Sequence, residues 1–240
     1  MNAETTPYYQ PSAGYPRIKV VRSFHELIST PLEQGVNALC WPRILPGDFG
    51  EIVCLVEGQP GIATIDEDTL RSLPLSPEGS AARDILLADQ ELLRSADLAP
   101  VLDCVTGSER DSSNPFPTDV SSYHADCATV PADTYLCTYI GACSEGLRND
   151  EAIRRADVPE IRAELLAMYG GADDEGFQEF LTENFHDLHY VPTPQARPFS
   201  FGRHNLWRIA IEYPESPVPP CIHRAPLTTP GMPSRLLLLS

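Results

Sequence analysis

The stretch "SSYHADCATV", residues 121 to 130, holds His124 and Asp126 two positions apart. In a strand alternate side chains share a face, so the imidazole and the carboxylate point the same way. That pair has a defined chemical use: a facial triad of two histidines and one carboxylate holds iron(II) on one face and leaves the other positions open for substrate and dioxygen. It also has a plain structural use, an imidazole oriented by a neighbouring carboxylate with no metal involved. Spacing alone does not choose. With six histidines, and 34 Asp and Glu among 240 residues, roughly one His-x-Asp/Glu is expected by chance.

A later stretch, "CIHRAPLTTPGMPSRLLLLS", adds two residues in a telling order. His223 falls near the end of one expected strand, and Arg235 begins the next, twelve residues on, across a Pro and Gly turn. In a site for a dicarboxylate cosubstrate, a second histidine completes the triad and a buried arginine fork pairs with the far carboxylate. The bland alternative for Arg235 is an exposed cation or an ion-pair partner in an acidic chain.

Other residues are weaker candidates. Arg208 in "NLWRIAIEY" alternates with Leu206 and Ala210, so it either lines a pocket and meets a substrate carboxylate or sits on an outer face. Thr138, Tyr139 and Trp207 could supply hydroxyl or aromatic contacts to a cavity, and buried strand packing explains them as well. His186 and His189, three apart in "FHDLHY", are close enough to share a metal, but a helix-end pair capping carbonyls is the simpler reading. Cys127 points away from Asp126 in a regular strand and reads as core. There is no G-x-S-x-G, no Walker loop and no G-x-G-x-x-G, which leaves serine hydrolase, P-loop and Rossmann chemistry without support.

The elements that must position these residues are legible in part. Residues 1 to 17, rich in Pro, Tyr, Thr and Ser, read as a loose arm. Residues 18 to 75 mix short apolar runs with Pro and Gly and are ambiguous. "LSPEGSAARDILLADQELLRSADL" is a helix, with Ser76 as cap, Pro77 in the first turn, and Ala82, Ile85, Leu86, Leu92 and Leu93 at helical spacing. "VSSYHADCATV" and "DTYLCTYIGA" favour strands. A helical block follows over about 149 to 188, with a capping box offered by Asp157 and Glu160, a glycine stop after "IRAELLAMY", and Phe177, Phe180, Leu181 and Leu188 on one face. Strands return in "PFSFG", "NLWRIAIEY", "PPCIHRAP" and "SRLLLLS".

Composition bounds the function classes. The formal charge of -17, with no cluster of lysine and arginine, argues against nucleic acid as a partner. The seven cysteines are scattered and never spaced C-x-x-C, so neither a disulfide framework nor a zinc ribbon is suggested. No stretch approaches the roughly 18 apolar residues of a membrane span, and the start has no basic, then apolar, signal. A soluble, cytoplasmic chain acting on a small molecule is the expectation.

On His124, Asp126, His223 and Arg235, over about residues 119 to 240, the chain resembles the 2-oxoglutarate and iron(II)-dependent oxygenase superfamily. More narrowly, "VNALCWPRILPGDF", "HADCATVPADTYLCTYIGACSEGL" and "CIHRAP" look like the uncharacterised bacterial DUF1826 family, which brings no established reaction. The superfamily resemblance implies a mainly β chain with helices, a double-stranded β-helix of cupin-like, jelly-roll form in residues 18–240, with a helical insert and an amino-terminal helical extension. It implies His124, Asp126 and His223 as metal ligands, and Arg235, helped by Thr138 and Tyr139, as the 2-oxoglutarate site. Arg208 and Trp207 would be weaker substrate contacts. Because halogenating members lack the carboxylate, Asp126 implies hydroxylation or a related oxidation, with 2-oxoglutarate and dioxygen giving succinate and carbon dioxide. The helical block and the "CWPR" segment are the expected walls or lid, and their acidic and aromatic residues suit an amino-acid-like or cationic compound. Two other readings stay open: a cupin-type metalloprotein that does not use 2-oxoglutarate (another dioxygenase, an isomerase or a metal sensor), and a non-catalytic scaffold.

Overall fold

A computed structural model of the chain describes residues 15–107, 114–227 and 231–240. Its first part alternates short strands and helices: β1 (Ile18–Val20), α1 (Phe24–Ser29), β2 (Ala38–Trp41), α2 (Phe49–Val56), β3 (Gly61–Thr64), α3 (Glu67–Ser72) and α4 (Pro77–Arg94). Strands β4 (Val101–Thr106), β5 (Asp133–Ile140), β6 (Glu145–Leu147) and β7 (Ala152–Arg154) follow. Helices α5 (Pro159–Tyr169) and α6 (Glu175–Glu183) then precede β8 (Tyr190–Pro192), β9 (Phe199–Ser200), β10 (Leu206–Ala210), β11 (Ile222–Arg224) and β12 (Arg235–Leu239).

Local chemistry accounts for the helix ends. Ser76 accepts from the Gly79 N–H at 3.1 Å and Pro77 occupies the first turn of α4, as expected. Helix α5 stops at Gly170, whose φ of 75° is left-handed. The Asp157 and Glu160 capping box does not form. Pro159 sets the first turn, so Val158 takes the cap position without a side-chain bond, and Asp157 closes a preceding 3-10 turn.

Seven strands form one mixed sheet in the order β1-β2-β10-β5-β12-β4-β3, and a smaller antiparallel sheet runs β11-β6-β9. Period-2 alternation divides the larger sheet into two faces. One face carries Tyr135, Cys137 and Tyr139 of β5, Leu236 and Leu238 of β12, and Leu102 and Cys104 of β4, packed against Leu27, Ile52, Leu70, Leu86 and Leu93 of the helices. The other carries Ala38, Cys40, Leu136, Trp207 and Ile209, packed against Phe199, Phe201 and Cys221 of the smaller-sheet side. The protein is therefore an α+β structure with a sheet-rich core, a helical layer outside and a second sheet inside.

Two boundaries differ from expectation. The amino-terminal part is no appended extension, because β1, β2 and β3 are integral strands of the larger sheet. Residues 1–14 of the expected arm lie outside the described residues, and its end is tied down: Tyr15 is buried, and its hydroxyl bonds the Asn149 side chain at 2.9 Å and accepts from the Asn149 N–H at 3.0 Å. The block at 149–188 does contain α5 and α6, which bury a core of their own around Ala156, Leu165, Phe177, Leu181 and Phe116. No helix among the described residues is long and apolar enough to cross a membrane.

Candidate metal and anion site

The segment around His124 is not a regular strand. It is threaded by single bridges between β11 on one side and His189 on the other. The His124 N–H donates to the His223 carbonyl and the His223 N–H to the His124 carbonyl, both at 2.9 Å. Two residues on, the Glu212 N–H donates to the Asp126 carbonyl at 2.7 Å, and the Ala128 N–H returns to the Glu212 carbonyl at 2.9 Å. These bonds hold the alternation that brings His124 and Asp126 to one side, and Cys127 to the other. Cys127 is exposed rather than core.

The three side chains converge. His124 Nε2 lies 3.4 Å from Asp126 Oδ1, His223 Nε2 lies 3.8 Å from Asp126 Oδ2, and one ligand atom from each residue falls within 4.8 Å of the others. Each imidazole has its Nδ1 against a backbone carbonyl, His124 on Ser122 at 2.8 Å and His223 on Cys221 at 3.2 Å. A carbonyl only accepts, so each Nδ1 carries the hydrogen and each Nε2 offers its lone pair to the cluster. The Thr134 hydroxyl donates to Asp126 Oδ2 at 2.6 Å and fixes the carboxylate. Two imidazole nitrogens and a carboxylate on one face, each braced from behind, fit a divalent transition metal, and the cluster could hold such an ion.

Electrostatics agree with the geometry. Burial pushes the Asp126 carboxyl up, but the His124 contact, the His223 charge and the Thr134 bond outweigh it and hold it well below the carboxylate range. Burial pulls His124 down, and Asp126 with the Ser122 carbonyl reverses that to a net rise. For His223 burial wins and its value is lowered. His124 therefore holds a proton more readily than a free imidazole does, and a cation bound by the cluster would compete with that proton.

A cavity of about 540 Å³ joins this cluster to Arg235. Arg235 opens β12 at 2% exposure. Its Nη2 contacts the Ser144 hydroxyl at 3.2 Å and the Thr138 hydroxyl at 3.5 Å, while its Nε has no hydrogen-bond partner. No carboxylate pairs with it among the described residues. Burial accordingly pushes the guanidinium down to about 10. Close approach of the chain at Gly141 seats this residue: with φ at 86°, an added Cβ would lie 2.7 Å from the Ser234 oxygen and 2.9 Å from the Arg235 Cα.

Several expected site residues lie elsewhere. Thr138 faces the cavity side, but Tyr139, its neighbour in β5, must face the helices, where its hydroxyl donates to Asp89 at 2.6 Å. Arg208 is on the helix side too: it pairs with Asp133 at 2.7 Å and donates to the Leu27, Ile28 and Thr30 carbonyls at the end of α1. Trp207 points inward but is sealed against Phe201, with centroids 4.5 Å apart, and its indole N–H donates to the Phe201 carbonyl. Arg43 of "CWPR" forms a buried pair with Asp89 at 2.6 Å under the helices, far from a lid role. No residue of the 149–188 block lines the cavity, and Ala156, Leu165, Phe177 and Leu181 are consumed in a core of their own. His189 stacks beside His124 at 5.7 Å with its Nδ1 on the Phe185 carbonyl, outside the ligand cluster.

Thr134, Ser144 and Asp103 are among the cavity residues that no sequence motif marks. Strand parity could have found Thr134, which shares a face with Leu136 and Thr138 in "DTYLCTYI". No family model matches the chain, and neither a curated protein nor a solved structure does.

Proposed function

We propose that the protein is an iron(II)- and 2-oxoglutarate-dependent oxygenase of a small molecule, built on a double-stranded β-helix. The observation that carries this reading is Arg235, a buried guanidinium without a carboxylate partner among the described residues, in the same cavity as His124, Asp126 and His223. A buried cation left unpaired is costly, and an anionic ligand resolves the cost. Thr134, which braces Asp126, and Thr138, which touches Arg235, share a face of β5 four residues apart, about 13 Å between Cα atoms at strand rise. A metal held by Asp126 at one end and the Arg235 guanidinium at the other would anchor the two ends of one short dicarboxylate.

The strand order supports the β-helix. Strands β10-β5-β12-β4 stand in the larger sheet, and the His124 segment with β11-β6-β9 makes the facing set. The chain alternates between them, from β4 to the His124 segment, β5 and β6, then from β9 to β10, β11 and β12. Membership beside the DUF1826 proteins is part of the same proposal and rests on the three resembling segments.

When bound, iron(II) with 2-oxoglutarate supplies the oxidation, dioxygen and the 2-oxo acid giving succinate, carbon dioxide and one oxygen atom for the substrate. The chain's own residues do the rest. His124, Asp126 and His223 hold one face of the metal, and Thr134 keeps the carboxylate oriented. Arg235, set by Ser144 and Thr138, fixes the far carboxylate by charge-assisted bonds. Leu136, Leu237 and Leu239 keep the cavity wall dry.

The test is an anaerobic titration with iron(II) and then 2-oxoglutarate, followed in the visible region for the charge-transfer band of a chelated 2-oxo acid. The band is expected in wild type and absent in His124→Ala and Arg235→Ala. Iron binding without a band would favour a cupin-type metalloprotein that does not use 2-oxoglutarate.

A further inference from the structure

Apart from the histidines, Asp103, Asp126 and Arg235 are the charged side chains that line the cavity among the described residues. Asp126 belongs to the histidine cluster and Arg235 turns toward Ser144. Among the described residues Asp103 has no counter-ion within ion-pair distance. It lies mid-strand in β4, on the face it shares with Val101 and Val105, and opposite Leu237. Val105 is opposite Arg235 in the same ladder, so Asp103 and Arg235 are diagonal neighbours across adjacent strands. The two opposite charges nonetheless form no ion pair: Asp103 takes one hydrogen bond, from the Thr64 hydroxyl to Oδ1 at 2.7 Å, and Oδ2 takes none among the described residues.

The walls around Asp103 are apolar. Val105, Leu237 and Leu239 lie inside, and Ile62, Val101 and Val120 form a rim exposed at 68%, 40% and 60%. Among the described residues no lysine, and no arginine besides Arg235, lines the cavity. A carboxylate among hydrocarbon walls selects a ligand with an apolar body and a positive donor, and the chain's charge of -17 favours the approach of cations.

We infer that Asp103 is a specificity-determining residue that holds the protonated amine of an apolar, amine-bearing substrate at the cavity mouth. The inference rests on the oxygenase reading for the reaction, but not for the binding. Arg235 takes the anion and Asp103 the cation, so the two ligands share one cavity without competing for a partner.

The test measures equilibrium binding of hexylamine, 1-hexanol and hexanoate to the full chain by calorimetry, with and without iron(II) and 2-oxoglutarate. In wild type hexylammonium should bind at least about ten-fold tighter than 1-hexanol, the scale of one charge-assisted bond, with hexanoate weakest. Asp103→Asn should bring amine and alcohol level while 2-oxoglutarate binding is unchanged. Asp103→Lys, a second variant at the same position, should turn the preference toward hexanoate. An amine no tighter than the alcohol in wild type, or a preference surviving both variants, overturns the inference. If the preference is present but 2-oxoglutarate never binds, the role of Asp103 stands and the oxygenase reading fails.

Discussion

His124 and His223 exchange both backbone hydrogen bonds, N–H to carbonyl in each direction at 2.9 Å, so two distant parts of the chain present their imidazoles from one closed bridge. The rings are 4.6 Å apart between centroids, and each Nδ1 is committed to a carbonyl two residues earlier. Position and tautomer are thus both set by backbone before any metal arrives, an economical way to preorganise a ligand pair.

The brace behind Asp126 should matter nearly as much as the ligands. Thr134→Val keeps shape and removes the 2.6 Å bond to Oδ2. Metal affinity should fall about 10- to 100-fold, read by competition with a chelator, while His223→Ala should abolish stoichiometric binding altogether.

Arg235 should burden the empty fold. Its value is pushed from 12.5 down to about 10, so the folded chain disfavours the charged form. For a base lowered on folding the penalty is fully present below about pH 10 and is relieved only as pH rises through that value. Arg235→Met should therefore be more stable than wild type in urea at pH 7 by about 1–3 kcal/mol in the absence of ligand. The same variant should lose the rise in melting temperature that 2-oxoglutarate gives wild type.

Arg208 and Tyr139 should separate stability from binding. Arg208→Ala strips the Asp133 pair and three carbonyl contacts at the end of α1, and should cost about 2–4 kcal/mol in urea unfolding. Tyr139→Phe removes the bond to Asp89 and should cost about 1–2 kcal/mol. Both variants should retain wild-type affinity for iron(II) and 2-oxoglutarate, because neither side chain reaches the cavity.

How far the sequence reveals this molecule depends on the range of the forces involved. Local signals hold: the Ser76 cap, the Gly170 stop, the strands at 133–140 and 206–210, and the spacing that turns His124 and Asp126 the same way. What fails is the choice of face. Arg208 alternates as a pocket residue would, but only tertiary packing reveals that its face meets α1, and Thr138 and Tyr139 cannot both look inward from consecutive positions. The lid expected of the 149–188 block fails for a related reason, since nothing local says that Phe177 and Leu181 will pack on Phe116 and not over the cavity. Asp103 was invisible because one carboxylate among valines has no motif; it gains meaning only beside Arg235 and Leu237.

The proposed function requires one ligand to touch both the metal cluster and Arg235. The most direct measurement is calorimetric binding of 2-oxoglutarate under anaerobic conditions, with and without saturating iron(II), in wild type and Arg235→Gln. Because linkage is reciprocal, iron(II) should tighten 2-oxoglutarate at least about ten-fold in wild type. Arg235→Gln should weaken binding about 100-fold while leaving iron affinity in place. An affinity for 2-oxoglutarate that is the same with and without iron(II), or untouched by the loss of the guanidinium, would overturn the proposed function.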